Sequence, residues 1–297
     1  MKLNVQDLID QKLVTKKTYT EGVYKGLSVL KYHRRVFFDN LWHLDDRLLE
    51  CRGTVVDEDW NVVVLPFKKV FNLGENGTHV NPEREVIVPE KINGFMAAAT
   101  KTEKYGLIVS TTGTLDSEYA TLARKWVEKV DADFFEGNTY LFEICDKSDP
   151  HIVEEEEGAY LIGIRNISNG GYLLSESACD VAVGVNMYGY KRPSVNQMKF
   201  KDIPETKKEG FMVRCADTQE VLCKLKSPHY LSKKALQRCG KNKAKRIFKD
   251  TNKFREQLDE EFYPILNKII DTFTEEEYLN LTEQQRRKWI EGYFENE

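Results

Sequence analysis

No stretch of this sequence approaches the ~20 apolar residues that cross a bilayer as a helix. A membrane-spanning chain is therefore not expected. The first residues, Met1-Lys2-Leu3-Asn4-Val5-Gln6-Asp7, are too polar for a secretory signal. The expected location is the cytoplasm. The cysteines at 51, 145, 179, 215, 223 and 239 form no Cys-x-x-Cys pair, and they read as reduced thiols. The five histidines show no His-x-x-x-His spacing, which argues against a dedicated zinc site. No internal repeat is present.

An excess of positive charge is also missing. With 44 Lys and Arg against 48 Asp and Glu, the net charge is −4. That balance argues against a chain that coats nucleic acid along its whole length. The distribution says more. From Lys233 to Arg255 there are ten Lys/Arg and one acid, Asp250, after which the tail turns acidic. A basic block beside an active site suits a phosphate backbone. A solvated helix face explains the same charges, and charge alone leaves both open.

What is present is a chain of 297 residues with 41% hydrophobic content, enough for one large domain and an appendage, or for two domains. Residues 5–14 place Val5, Leu8, Ile9 and Leu13 at helical spacing. Residues 27–32 read as a strand. Residues 53–56 and 61–65 flank Asp57-Glu58-Asp59-Trp60 as a hairpin. Further strands are expected at 86–90, 94–100, 106–111, 139–145, 159–167, 171–174, 210–215 and 221–226, with Asn169-Gly170-Gly171 as a tight turn. Tyr119, Leu122, Ala123, Trp126, Val127 and Val130 make an amphipathic helix. From about Ser232 the pattern is helical, with Phe262, Ile265, Leu266, Ile269 and Ile270 on one face. The acid run Glu154–Glu157 reads as an exposed loop. Together these predict an α+β fold of antiparallel sheets over residues 1–230 and a small all-helical domain over residues 231–297.

The chemistry centres on Lys91-Ile92-Asn93-Gly94, directly after the apolar Val86-Ile87-Val88-Pro89. Lys-x-x-Gly alone is a weak signal. Its weight comes from the order of three downstream segments: Phe142-Glu143, Glu209-Gly210-Phe211-Met212-Val213, and Lys224-Leu225-Lys226. A lysine amine attacks phosphorus only when neutral, and a free pKa of about 10.4 leaves well under a thousandth neutral at pH 7. A drop of ~3 units corresponds to roughly 4 kcal/mol. Nearby cations supply it by disfavouring the ammonium. Lys224 and Lys226 alternate along a predicted strand and share a face, so they suit that task and the neutralisation of phosphate charge. Gly94 lets the backbone turn close to a nucleotide. Upstream, Arg52 and Lys69 are candidate triphosphate contacts. Phe71 stands near them, with core packing the commoner role for any single Phe. Glu143, costly to bury alone, suits a ribose hydroxyl. Glu209 suits a magnesium-bound water or the orienting of a lysine.

These segments resemble the covalent nucleotidyltransferases, the polynucleotide ligases and mRNA capping enzymes, and within them are most similar to the bacteriophage RNA ligase 1 family. The matches are Glu50-Cys51-Arg52-Gly53, Pro66-Phe67-Lys68-Lys69-Val70-Phe71-Asn72-Leu73, Lys91-Ile92-Asn93-Gly94, Phe142-Glu143-Ile144, Glu209-Gly210-Phe211-Met212-Val213 and Lys224-Leu225-Lys226-Ser227. The resemblance implies an antiparallel-sheet nucleotidyltransferase domain and a three-step ATP-dependent reaction. Lys91 takes AMP from ATP, AMP passes to an RNA 5′-phosphate, and an RNA 3′-hydroxyl then seals the strand. It implies Tyr32, Arg52, Lys69, Phe71, Gly94, Glu143, Glu209, Lys224 and Lys226 as nucleotide contacts. Magnesium is the implied metal, near Glu209 through water, and a monomer the implied state. The basic block, with Lys233, Lys234, Lys243, Lys245 and Arg246, becomes a candidate RNA contact.

Two departures stand out. The family's basic residue before Gly-Ser or Gly-Thr is Thr112 here, in Ser110-Thr111-Thr112-Gly113-Thr114, so one phosphate contact is either missing or supplied elsewhere, with Lys101 and Lys104 as candidates. The helical tail is shorter than the one associated with tRNA preference, so tRNA as a substrate is open. Competing readings are a capping or DNA-ligase type enzyme, which would usually add a small β-barrel, and a silent RNA-end sensor that keeps the pocket without turnover.

Overall fold

The computed structural model describes residues 1–173, 189–258 and 262–295. Cys179 and the last residue of the strand expected at 171–174 lie outside them. The chain divides into two compact units. One comprises Met1–Pro150, Glu155–Ile203 and Met212–Lys224, the other His151–Glu154, Pro204–Phe211 and Leu225–Glu297.

In the first unit, α1 (Gln6–Asp10) leads to an antiparallel sheet of β1 (Val14–Thr18), β2 (Ser28–Tyr32), β3 (Arg52–Val56) and β4 (Val62–Val64) in sequential order. Two short helices, α2 (Arg34–Phe38) and α3 (Arg47–Glu50), lie between β2 and β3. After β5 (Glu85–Pro89), a second antiparallel sheet is built from β6 (Phe95–Thr102), β7 (Gly106–Thr111), β8 (Asn138–Cys145), β9 (Gly158–Asn166) and β10 (Tyr172–Leu173). Its order is β10-β9-β8-β6-β7, and α4 (Glu118–Val127) covers it. β11 (Val195–Lys199), β12 (Gly210–Cys215) and β13 (Val221–Lys226) join β5 in the order β11-β5-β12-β13.

The alanine run of β6 shows how the layers are set. Successive strand residues face opposite sides. Ala97 and Ala99 join the core that includes Ala123 and Val127 of α4. Ala98 joins Val29, Val55 and Val64 of the first sheet. β8 alternates in the same way with larger side chains: Tyr140, Phe142 and Ile144 face the α4 side, and Leu141 faces the first sheet. Glu143 therefore shares the face of Leu141.

Two local expectations change. The helix expected over 5–14 stops at Asp10 because Lys12 turns left-handed (φ 59°) and the chain pairs with β2 as β1. Val14-Thr15-Lys16-Lys17-Thr18 carries one apolar side chain and gave no strand signal. β11, with Val195-Asn196-Gln197-Met198-Lys199, is an edge strand on β5 whose mostly exposed residues likewise hid it. The acid run is a loop as expected, with Glu154 and Glu156 exposed and Glu155 and Glu157 half-buried, but its carboxylates are engaged. Glu155 accepts the Asn93 N–H at 3.3 Å, Glu156 pairs with Lys191 at 2.5 Å and Glu157 pairs with Lys147 at 3.4 Å.

The second unit's helices are α5 (Pro228–Gln237), α6 (Lys241–Lys249), α7 (Thr251–Arg255), α8 (Tyr263–Thr272), α9 (Glu275–Asn280) and α10 (Glu283–Glu295). Ser227 caps α5 and Pro228 opens its first turn, the arrangement that leaves fewest orphan N–H groups. Phe262, Ile265, Leu266 and Ile269 are buried with Leu236, Ile247, Phe254, Tyr278 and Ile290 in one core.

Candidate active site

Lys91 stands in the link between Pro89 at the end of β5 and Phe95 at the start of β6. Gly94 is required there by space. A Cβ on it would collide with the carbonyl oxygen of Ile144 and press on Cys145 Sγ. Its N–H donates to Glu143 Oε1 at 3.2 Å, and the Lys91 ammonium lies 3.5 Å from the Ile92 carbonyl oxygen. Ile92, Cys145 and Tyr160 form a small apolar floor beneath the turn. Burial pushes the Cys145 thiol up to about 12, helped by Glu143 and Glu155 and opposed by Lys191 and Lys91. Burial likewise pushes Tyr160 up to about 12, with Cys145, Glu155, Glu156 and Glu90 adding to it.

Strand pairing brings the next groups in. Met96 on β6 lies opposite Glu143 on β8. Arg52, first residue of β3, donates from Nη1 to Met96 Sδ at 3.4 Å. Arg52, Met96, Glu143 and Gly94 are thus linked in a row, and Lys91 is three residues upstream of its end. Gly53 (φ +94°) lets β3 approach the end of β7, because a Cβ there would lie 2.8 Å from Thr112 Cα.

Tyr32, Lys69 and Phe71 form a second cluster, around Trp42. The Lys69 ammonium is 4.3 Å from the Phe71 ring centre, 5.5 Å from that of Trp42 and 3.5 Å from Glu75 Oε1, with its side chain 7% exposed. Tyr32 packs edge-on against Trp42 at 4.8 Å. Phe71 also packs against the N-terminal core. Lys224 is drawn to this segment by its backbone: its N–H donates to the Phe71 carbonyl and its carbonyl accepts from the Leu73 N–H, both at 2.9 Å.

Sequence reasoning missed what holds the segments at 50–53 and 66–73 in place. Arg165, 1% exposed, makes a two-pronged ion pair with Glu50 at 2.7 Å and donates to the Pro66 carbonyl at 2.6 Å. Its plane lies over Tyr172 at 4.8 Å. A lone arginine in Leu161-Ile162-Gly163-Ile164-Arg165 was the available signal, since a charge in an apolar strand needs a partner. Trp42, Met96, Glu155 and Lys191 were missed as well. The alkyl chain of Lys191 lies over Gly158, and its ammonium pairs with Glu156.

In the second unit, Glu209 (3% exposed side chain) pairs with Lys226 at 3.1 Å. Gly210 (φ +133°) permits close backbone approach to the Leu225 carbonyl. Ser227 donates from N to the Glu209 carbonyl at 3.0 Å and from Oγ to the Lys208 carbonyl at 2.7 Å. Among the described residues, no group of three or more His, Cys, Asp or Glu side chains is placed to hold a metal ion.

A family model described as RNA ligase, of the T4 RNA ligase 1 type, matches residues 50–263. The chain belongs to the RNA ligase family. As a member it is an ATP-dependent RNA ligase. No curated protein matches it. Similar solved structures include an archaeal ATP-dependent RNA ligase in two forms. Form 1 has a TM-score of 0.50 at 13% identity, covering 84% of this chain and 72% of that one. Form 2 has a TM-score of 0.52 at 12% identity, covering 95% and 72%. A putative ATP-dependent DNA ligase from Aquifex aeolicus has a TM-score of 0.52 at 16% identity, covering 98% and 77%. At these identities the likeness is one of fold, and it agrees with the α+β architecture expected.

Two sequence-based ideas about the ligase's cations change. Lys101 and Lys104 do not stand in for a cation at Thr112. Ala97 faces Thr111, whereas Lys101 faces Leu107 and Lys104 lies in the turn beyond. Four strand residues separate the two places by about 13 Å. The loop after Thr112 instead meets Lys17 and Tyr19: Lys17 Nζ lies 2.8 Å from Asp116 Oδ1, and the Tyr19 hydroxyl accepts from the Leu115 N–H at 2.8 Å. In the basic block, Lys245 and Arg246 on α6 are exposed, while Lys233, Lys234 and Lys243 are half-buried. Burial lowers the pKa of Lys233, whose charged neighbours are Glu291, Arg287 and Glu154. Lys234 lies over the Tyr230 ring at 5.6 Å. The five residues are therefore not one solvated face.

Proposed function

We propose that the ligase works through Lys91 as its covalent nucleophile. The neutral amine attacks the α-phosphorus of ATP, a P–N bond forms, the bond to the bridging oxygen breaks and pyrophosphate leaves. AMP then passes to an RNA 5′-phosphate, and attack by an RNA 3′-hydroxyl seals the strand and releases AMP. The observation that supports this best is the row Arg52, Met96, Glu143 and Gly94 beside Lys91, because three motifs far apart in sequence meet there, through the pairing of β6 with β8 and the contact of Arg52 with Met96.

In this reading Arg52 and Lys69 hold phosphate oxygens, and Tyr32 and Phe71 pack near the base. Glu143 fixes the turn through Gly94 and takes a ribose hydroxyl. Lys224 and Lys226 act on the phosphates, Lys226 being oriented by Glu209. Magnesium fits without a dedicated protein cage, since it is usually held by one or two carboxylates plus phosphates and water. An ionised carboxylate has about four lone-pair sites, so Glu209 can hold Lys226 and still accept from a metal-bound water. When bound, the ion would neutralise phosphate charge. The enzyme is read as a monomer of the cytoplasm that joins RNA ends, tRNA among the candidates. The described residues after β13 form helices rather than the β-barrel expected of a capping or DNA-ligase type enzyme.

The test is a chase. The protein is incubated with α-labelled ATP and magnesium, then given 5′-phosphorylated single-stranded RNA or the DNA equivalent. Label should move from protein to RNA and then to free AMP. Label that never leaves the protein would favour the silent sensor, and preferential transfer to DNA would reject the RNA reading.

A further inference from the structure

Two adjacent phenylalanines stand on the surface of the first unit. Phe37 is 47% exposed and Phe38 is 75% exposed, with ring centres 5.6 Å apart in an edge-to-face arrangement. Single exposed apolar residues are ordinary, whereas a paired aromatic patch marks contact with something else. The element carrying them is anchored. Val36 of α2 is fully buried, the His33 ring accepts the Arg35 N–H at 3.2 Å, and Trp42 a turn later is 4% exposed. The rings are therefore presented by a fixed support.

We propose that Phe37 and Phe38 form a platform on which unpaired bases of the RNA end stack. The proposal rests on the RNA-joining reading above and adds the surface that receives the strand. Three observations favour RNA over an apolar protein partner. The Lys69 ammonium lies 5.8 Å from the Phe37 ring centre, so the patch continues into the Lys69, Phe71 and Trp42 cluster. Arg34 and Arg35 are exposed on the same helix. Of the nearby acids, Asp45 is held by Arg47 at 2.7 Å, and Asp39 meets Arg35 at 3.3 Å across a pair more than half exposed, which a phosphate can displace. Aromatic faces beside cations are the recurring means of holding single strands, because every base offers a π-face and every linkage a charge.

The test measures binding of a fluorescent 5′-phosphorylated RNA oligonucleotide to the full-length protein, beside labelling by α-labelled ATP. F38A should weaken RNA binding about 5-fold or more, as loss of one base–aromatic stack does. F38W should hold RNA as tightly as the parent, and R34Q should lower the salt slope by about 0.7. Lysyl-AMP formation should stay unchanged in F38A, whose ring is mostly in water. RNA affinity of F38A within about twofold of the parent would overturn the platform, by the same stacking measure. Loss of self-association with unchanged RNA binding would overturn it in favour of a second copy. A parent protein that binds no RNA would instead reject the underlying reading.

Discussion

The backbone N–H of Gly94 donates to Oε1 of Glu143 at 3.2 Å. This bond ties the turn that carries Lys91 to the central strand of the second sheet, β8. The same strand places Glu143 opposite Met96, against which Arg52 rests.

Gly94→Ala should therefore abolish labelling by α-labelled ATP. The added methyl would meet the Ile144 carbonyl, and the turn must move to relieve it. A shift of about 1 Å at a reacting group can cost ~100-fold in rate. The check is the rate of lysyl-AMP formation, and a rate near that of the parent would show that the close approach is not needed.

Arg165→Met should cost up to about 3 kcal/mol in urea unfolding, because it strips the mostly buried Glu50 of its two-pronged partner and leaves it only the half-exposed Lys68 ammonium at 3.4 Å. Arg165 and Glu50 have side chains 1% and 12% exposed. The double variant Glu50→Gln/Arg165→Met should recover part of that loss, since no unpaired charge remains. Equal losses in the single and double variants would mean that the pair contributes packing rather than charge balance.

Asp116 links β1 to the loop after Thr112. Its carboxyl is held at about 2 against an ordinary 3.8, first by Lys17 and then by Thr114. A depressed folded pKa gives stability that is present above the unfolded value and lost as pH falls through the folded one. Asp116→Asn should therefore be less stable than the parent at about pH 6, with the gap closing as pH falls below 3.8 toward about 2. The pair is about half exposed, so the effect is small. Thermal melts across that range test it, and a gap that widens in acid would contradict it.

Most of the sheet framework was legible because its strands alternate or run apolar, as in Val86-Ile87-Val88 and Leu141-Phe142. The polar edge strands β1 and β11 were not, since their stability comes from partners and not from their own apolar faces. The same division holds at the site. Lys91, Gly94, Arg52 and Glu143 could be named because their chemistry is tied to type and order. Arg165, Trp42, Met96 and Lys191 could not, because each acts through a contact that only the fold creates.

The basic block gives a graded prediction. Lys245→Gln/Arg246→Gln should lower the slope of RNA affinity against salt by about 1.4, since both side chains are exposed on α6. Lys233→Gln should change it little, as that amine is half-buried near Arg287, Glu291 and Glu154. Binding titrations over a range of salt decide this, and equal effects from both variants would restore the whole block as one RNA face.

The central claim is that Lys91 carries AMP. After incubation with ATP and magnesium, mass spectrometry of a digest should find a single AMP adduct on the peptide containing Lys91-Ile92-Asn93-Gly94. Lys91→Ala should show none. An adduct on another lysine, or one that persists in Lys91→Ala, would contradict the account.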